Sequence, residues 1–279
     1  MNRSKSFDGK RPTLYLIATP IGNLKEISPR ALEIISEMDI IAAEDTRNAF
    51  SLLANYGIKK ELFSLREHNE LEASRALLEK INVGKKVAYM SDAGYPGISD
   101  PGYLLVQEMI KNDIAVSTIS GSCAFINALV ASGLDTKHFY FYGFLPAKDN
   151  EAKEEILSLK DKKETLIFYE APHRIMRTLN LLRDGLGNRQ ICLARELTKL
   201  NEEYIRGTLD ELVDLDESSI KGEMVLIIEG NKQEKAINDE ELKSRIAYFV
   251  NLGLSQKDAI NVVSEEYGVN KNYVKKLVF

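Results

Sequence analysis

Apolar residues in this chain come in short bursts, each followed by a longer stretch where they recur every three or four positions. Thr13–Ala18, Asp39–Ala43, Glu61–Leu65, Lys85–Met90 and Ala115–Ile119 are such bursts. A brief apolar run bounded by polar or glycine-bearing turns predicts a buried strand. The stretches between them have helical spacing. One helix is capped by Ser28, has Pro29 at its first position and runs through Ile35; others cover 48–55 and 70–82, start near Tyr103, and run from Ala124 to about Ser132. Strand and helix in alternation predict βαβ units and a mostly parallel sheet. The pattern restarts near residue 139. Phe139–Leu145, Glu164–Tyr169, Gln190–Ala194 and Glu223–Glu229 are further strands, Glu203–Gly207 is extended, and helices cover 149–160 and the stretch up to Leu186. This predicts a second α/β domain with a mixed sheet, and a cleft between two such domains is a favoured ligand position.

Residues 231–240 are polar and charged, which predicts a linker. Beyond it, Ile246, Phe249, Val250 and Leu252 mark a helix ended by Gly253. Ser255 caps a second helix that Gly268 ends, and Asn270 caps a third carrying Val274 and Leu277. Three short helices with tight turns resemble a helix-turn-helix, and a helical packing or dimerisation tail is the alternative. The third helix offers Lys271, Lys275 and Lys276 to a nucleic acid. The expected organisation is a disordered lead-in over 1–11, α/β domains over 12–136 and 137–230, a linker over 231–240 and a helical extension over 241–279.

The strand ends carry the chemistry. Thr19-Pro20, Glu44-Asp45, His68-Asn69, Asp92 and Ser120-Gly121 each follow a predicted strand, and in a parallel sheet such groups gather along one edge, where ligands bind. The longest of these connections, Ser91 to Gly102, spans about a dozen residues where two to six is usual. It holds three glycines, two prolines and two aspartates. Asp100-Pro101 is the start signal of the next helix, with Asp100 as its cap. Asp92 directly follows the strand, where it can accept hydrogen bonds from a ligand or close an Asx-turn.

Composition removes several classes of function. No apolar run among the 279 residues approaches the roughly 18 needed to cross a bilayer. The polar N-terminus lacks the apolar core of a signal peptide. Only two cysteines occur, Cys123 and Cys192, and the three histidines are far apart in sequence. That excludes a disulfide framework, suits the reducing cytoplasm and leaves no metal-ligand spacing. A net charge of −5 argues against a general nucleic-acid binder without excluding a local basic face. The dinucleotide glycine fingerprint, the phosphate-binding loop and the serine-hydrolase elbow are all absent.

Seven ordered motifs remain: Thr19-Pro20-Ile21-Gly22-Asn23-Leu24, Ala43-Glu44-Asp45-Thr46-Arg47, Glu67-His68-Asn69, Ser91 to Gly102, Phe168 to Arg174, Ala194 to Lys199 and Lys221-Gly222-Glu223. Together they resemble the RsmI group of the tetrapyrrole-methylase-like methyltransferases from about residue 13 to 230. The resemblance implies an S-adenosylmethionine-dependent enzyme, a homodimer with the cofactor in the cleft between the domains. Its substrate would be the ribose 2′-hydroxyl of a cytidine in the decoding region of 16S ribosomal RNA, in the small subunit. Carried over, its cofactor contacts fall on Pro20, Asp92, Gly94, Tyr95, Cys123, Ala124, Tyr169, Glu170, Arg195 and Met224. Two departures are visible: Ser120-Gly121-Ser122-Cys123-Ala124 stands where the group has Pro-Gly-Pro-Ser-Ala, and Ala171 replaces a usual serine.

A ribose hydroxyl is a weak nucleophile, so a nearby base or cation helps its attack on a sulfonium methyl. Asp45, His68, Glu170 and Glu196 are the candidate bases at the cleft edge, and the residues alone do not choose among them. Arg47, Arg174 and Lys199 are candidates for RNA phosphates, with Arg195 beside them. Ion pairing is the alternative role for each acid and arginine, and helix capping for His68. Two other functions are compatible with the same residues: C-methylation of a tetrapyrrole (precorrin), and a non-catalytic nucleic-acid-binding regulator that uses the tail.

Overall fold

Each apolar burst becomes a strand, and the helices cover both faces of the first sheet. The computed structural model describes residues 12–216, 220–232 and 238–278. The expected lead-in, 1–11, lies outside the described residues, as does 233–237 of the expected linker. The chain forms two units, one ending at Asn231 and the other starting at Lys232.

The first unit begins β1 (Thr13–Ile17), α1 (Pro29–Glu37), β2 (Ile40–Ala43), α2 (Thr46–Asn55), β3 (Glu61–Ser64), α3 (Glu70–Asn82), β4 (Val87–Met90), α4 (Tyr103–Lys111), β5 (Ala115–Ile119) and α5 (Ala124–Ser132). Its five strands run parallel in the order β3-β2-β4-β1-β5. Alternation along the central strands divides the core. Ile40, Ala42, Val87 and Tyr89 pack toward α3 and α4, whereas Ile41, Ala43, Ala88 and Met90 pack toward α1 and α2. Each wholly buried leucine or isoleucine contributes about 1.5–3 kcal/mol of transfer free energy. Ser28 caps α1 as expected, its Oγ accepting from Ala31 N at 3.1 Å, with Pro29 in the first turn.

The second sheet comprises β6 (Phe139–Phe144), α6 (Asp149–Ser158), β7 (Thr165–Glu170), α7 (Ile175–Leu186), β8 (Gln190–Arg195), β9 (Glu203–Thr208), α8 (Leu209–Leu212) and β10 (Met224–Ile228). Its order is β6-β7-β10-β8-β9, with β6 parallel to β7 and the other pairs antiparallel. The sheet is therefore mixed, as expected. α6, α7 and α8 cover one face. The other face takes α5, where Ala128 and Leu129 pack on Ile167, Ala194 and Ile227. A helix wound from the first sheet thus completes the core of the second. The apolar pattern predicts no α8; its signal is Thr208 three residues before Glu211, a capping box in which each side chain meets the other's backbone N–H.

One expectation fails at the long loop. Asp100 does not cap α4, and Pro101 is not in its first turn. The helix starts at Tyr103 after Gly102, whose φ of 139° is closed to other residues. The cap comes from another helix. Glu70, buried at the start of α3, places Oε1 2.8 Å from Gly102 N, 2.8 Å from Leu104 N and 3.3 Å from Leu105 N. One carboxylate so meets the unpaired N–H groups and positive dipole end of α4.

The second unit contains α9 (Asp239–Asn251), α10 (Gln256–Tyr267) and α11 (Lys271–Lys276) around Leu242, Ile246, Ala259, Ile260, Val263 and Val274. Ser255 and Asn270 cap α10 and α11, and Gly268 ends α10 in the left-handed region.

Candidate active site

Parallel pairing sets the carboxyl ends of the first sheet in a row. Leu65, Glu44, Ser91, Ala18 and Ser120 each follow the last residue of a strand, in that spatial order. The chain winds from β1 toward β2 on one side and from β4 toward β5 on the other. The reversal falls between β4 and β1, where open α/β sheets bind ligands. Here Thr19 and Gly94 form an isolated antiparallel bridge, with N–H to O distances of 2.9 and 3.1 Å. Thr19 Oγ1 donates to Ser91 O and Ser91 Oγ donates to Gly94 O, so the loop is fixed to β1 by buried bonds. Further along, Tyr89 Oη and Gly97 N both donate to Pro101 O at 3.0 Å.

Between this loop and the second sheet lies a cavity of about 320 Å³, at the lower end of the range for small-molecule sites. Asp92, Gly94, Tyr95, Ser99 and Asp100 line it from the loop, Cys123 and Ala124 from the start of α5, Tyr169 and Glu170 from β7, and Met224 from β10. The β8–β9 connection adds Glu196, Leu197 and Lys199. This connection is strained: Glu196 has φ 51° and Thr198 φ 67°. Ser99, across the cavity, has φ 59°. Asp113, after α4, is the other non-glycine residue with positive φ among the described residues. Such conformations cost of order 1–3 kcal/mol each and cluster where the surrounding structure imposes them. Gly22 and Gly222 make room for the connection. A Cβ on Gly222 would lie 1.9 Å from Glu196 Oε1, and one on Gly22 would lie 2.7 Å from Lys199 Cγ.

The electrostatics are acidic. The one lining cation, among the described residues, is Lys199, and its Nζ already pairs with Glu196 at 2.9 Å. Burial, with Glu44, Asp92 and Glu223 nearby, pushes the Asp100 carboxyl up to about 7. Burial and then Asp92, Glu67 and Asp45 also raise Glu44, against Arg66. Burial likewise raises the Cys123 thiol and the Tyr169 phenol. Uncompensated negative charge in a partly desolvated cleft suits a cationic ligand.

The family model of the tetrapyrrole (corrin/porphyrin) methylases matches residues 13–213, both sheets but for β10. The chain belongs to the tetrapyrrole methylase family. Ribosomal RNA small subunit methyltransferase I of Halalkalibacterium halodurans is 44% identical, covering 93% of this chain and 92% of its own length. The protein of the same name from Haemophilus influenzae is 45% identical, covering 93% of each. The Bacillus subtilis one is 39% identical over 98% of this chain and 97% of its own. Among solved structures, the methyltransferase CobJ has a TM-score of 0.60 at 17% identity, over 79% of this chain and 95% of its own. Diphthine synthase has 0.60 at 13%, over 78% and 89%. At those identities the likeness is one of fold.

In this methylase chain the expected cofactor residues mostly converge. Asp92, Gly94, Tyr95, Cys123, Ala124, Tyr169, Glu170 and Met224 share the cavity. Pro20 lies instead in an adjoining groove with Asn48 and Leu52, and Asp92 forms part of both walls. Arg195 is absent from the lining because Glu203 Oε2 holds its Nε at 2.5 Å, across the β8–β9 pair. Asp45, Arg47 and His68 form an outer rim with Glu44, Arg66 and Glu67, and this rim also meets Asp92.

The candidate bases are unequal. Asp45 caps α2 and pairs with Arg47, whose hydrogen bonds hold its carboxyl well below the usual range. Glu170 has a wholly buried carboxylate that accepts from Ala171 N and Thr178 Oγ1, with Arg174 Nε at 3.3 Å. Arg174 itself donates to Leu145 O at 2.8 Å, so its guanidinium is committed inside the protein. Glu196 and Lys199 are paired to each other within the cavity. Sequence reasoning missed Ser99, Asp100, Phe144 and Glu223 as lining residues. Asp100 lies in the expected ligand loop but lines the cavity instead of capping α4.

Proposed function

We propose that this chain is an S-adenosylmethionine-dependent methyltransferase acting on small-subunit ribosomal RNA, at the ribose 2′-hydroxyl of a cytidine in the decoding region. What supports the small-subunit RNA substrate is 44–45% identity over 93% of the chain to proteins named ribosomal RNA small subunit methyltransferase I; the cytidine 2′-hydroxyl rests on the motif resemblance alone. In one case the match covers 98% of the chain, and so extends past residue 213 into the tail.

The cavity fits the donor on chemistry. A cationic sulfonium with an aromatic base needs acceptors, an apolar wall and close backbone approach. Asp92 offers a carboxylate. Phe144 and Tyr169, with ring centroids 5.5 Å apart, offer the apolar wall. Gly94, at φ 79°, offers backbone. When bound, the donor supplies an electrophilic methyl group. The protein then has to hold the acceptor sugar in line and keep water away.

The outer rim suits the RNA backbone. Arg47 and Arg66 are exposed, next to Asp92 at the cavity mouth. The Arg47–Asp45 pair is a surface contact of little net worth, so the guanidinium can be traded to a phosphate. Arg174 has no such freedom, and Lys199 would reach RNA only by leaving Glu196. The protein is expected to act as a homodimer, which light scattering on the purified chain checks.

Transfer of tritiated methyl groups to small subunits from a strain lacking the enzyme tests the function. A ribose 2′-O-methyl group blocks alkaline cleavage at its own linkage, so the label should appear in an alkali-resistant dinucleotide beginning with cytidine. Label in an alkali-labile nucleotide would refute ribose methylation. No label in RNA, with label passed to a tetrapyrrole, would refute the RNA substrate.

A further inference from the structure

We propose that Asp100 takes the proton from the acceptor hydroxyl as the methyl group is transferred. The inference rests on the function proposed above. The new bond forms between the hydroxyl oxygen and the methyl carbon as the carbon–sulfur bond breaks, with sulfur keeping that electron pair. The hydroxyl proton passes to a carboxylate oxygen of Asp100, so charge and atoms balance.

The geometry points to Asp100 because the other acids at the site are occupied or outside. Glu170 is buried in its contacts with Ala171, Thr178 and Arg174. Glu196 pairs with Lys199. Asp92 accepts from Asn48 Nδ2 at 2.6 Å. Asp45 and His68 sit on the rim rather than in the cavity. Glu223 lines the cavity but is exposed. Asp100 is half-buried in the cavity wall, and the helix it precedes already has its cap from Glu70.

Its backbone is also fixed. Ser99 before it is in the left-handed region, and Pro101 after it accepts from Tyr89 Oη and Gly97 N. A carboxylate with no structural duty, on a rigid loop inside a ligand cavity, is placed to act on a substrate. A base works best with a pKa near the working pH, and burial with three acids nearby brings this carboxyl to about 7.

The groups facing it are Glu44 beyond β2, Asp92 beyond β4, Glu223 before β10 and the phenols of Tyr89 and Tyr169. Lys199, paired with Glu196, lines the same cavity. A bound cation would stabilise the carboxylate, so the inflection should move below 7 in the donor complex.

Three measurements on the full chain and on Asp100→Asn test this. Carboxyl-carbon NMR of aspartate-labelled protein, with Asp100 assigned by its loss in the variant, should show titration near neutrality, moving down with saturating donor. Calorimetry should find the donor Kd changed less than tenfold, which also shows that the variant folds. Methylation of small subunits at saturating donor should fall about 100-fold or more. Wild-type turnover should drop tenfold per pH unit below the inflection, while the variant's residual rate stays flat. A variant within fivefold of wild type with the same pH profile overturns the proposal. So does a loss confined to donor Kd, which would make Asp100 a donor ligand. No methylation by the wild-type protein would overturn the functional reading and take the proposal with it.

Discussion

Replacing Glu70 by alanine should measurably destabilise the first unit. Glu70 Oε1 accepts from three backbone N–H groups at 2.8, 2.8 and 3.3 Å. A hydrogen bond to a charged acceptor is worth about 1.5–3 kcal/mol net, and a stranded buried donor costs about the same. Two of the three bonds are short. They share one oxygen, and water can reach Leu104 N once the side chain is gone, so the sum contracts to about 3 kcal/mol. Glu70→Gln keeps an acceptor but loses the charge that meets the α4 dipole, a loss of about 1 kcal/mol. Urea unfolding of both variants measures the difference. Because the cap also fixes the end of the 91–102 loop, Glu70→Ala should weaken donor binding, and calorimetry reads that separately. A loss below 1 kcal/mol for alanine, or a glutamine variant as damaged as alanine, would refute the capping role.

Three further outcomes are expected. Gly222→Ala puts a Cβ into Glu196 and adds about 1–2 kcal/mol of left-handed strain, so thermal unfolding should move down and the Glu196–Lys199 pair should be displaced in a crystal structure. Asp92→Asn removes a charge at an exposed position shared by the cavity and the rim, so donor Kd should rise at least tenfold while urea stability stays within about 0.5 kcal/mol. Asp100→Asn should stabilise the protein at pH 8 and not at pH 4. The folded-state pKa of about 7 lies above the ordinary 3.8, so between those values the folded chain holds a proton that the unfolded chain has released. Stability therefore falls as pH rises through that window and levels off above it. Removing the group should return about 1–2 kcal/mol at pH 8, after allowance for screening at a partly open cavity; equal stability curves at both pH values would count against the perturbed carboxyl.

The fold was legible because its signals are local. Burst lengths, caps such as Ser28, Ser255 and Asn270, and stops such as Gly268 depend on neighbours in sequence. The lining of the cavity was largely legible through ordered motifs, since strand ends of a parallel sheet must share an edge. What escaped was non-local. Asp-Pro is a good helix start in isolation, and nothing near Asp100 reveals that Glu70, thirty residues earlier, supplies the cap. Arg174 and Arg195 look like phosphate ligands in sequence, yet a carbonyl in one case and a cross-strand glutamate in the other hold them. Glu170 has the motif position of a site residue, but its carboxylate serves a buried network.

Strand order has a consequence for the nascent chain. Among the described residues β1 pairs with β4 and β5, and β10 sits between β7 and β8. At roughly 5–20 residues per second, the first strand waits roughly 4 to 15 seconds for residue 90 to be made. The second sheet has its central place empty until residue 228, so β7 and β8 each keep an open edge facing the gap. Unpaired edges of this kind template pairing with other chains. A ribosome that stalls between residues 195 and 224 would release a product with both apolar strands uncovered, so the demand for chaperones should peak over that interval of synthesis.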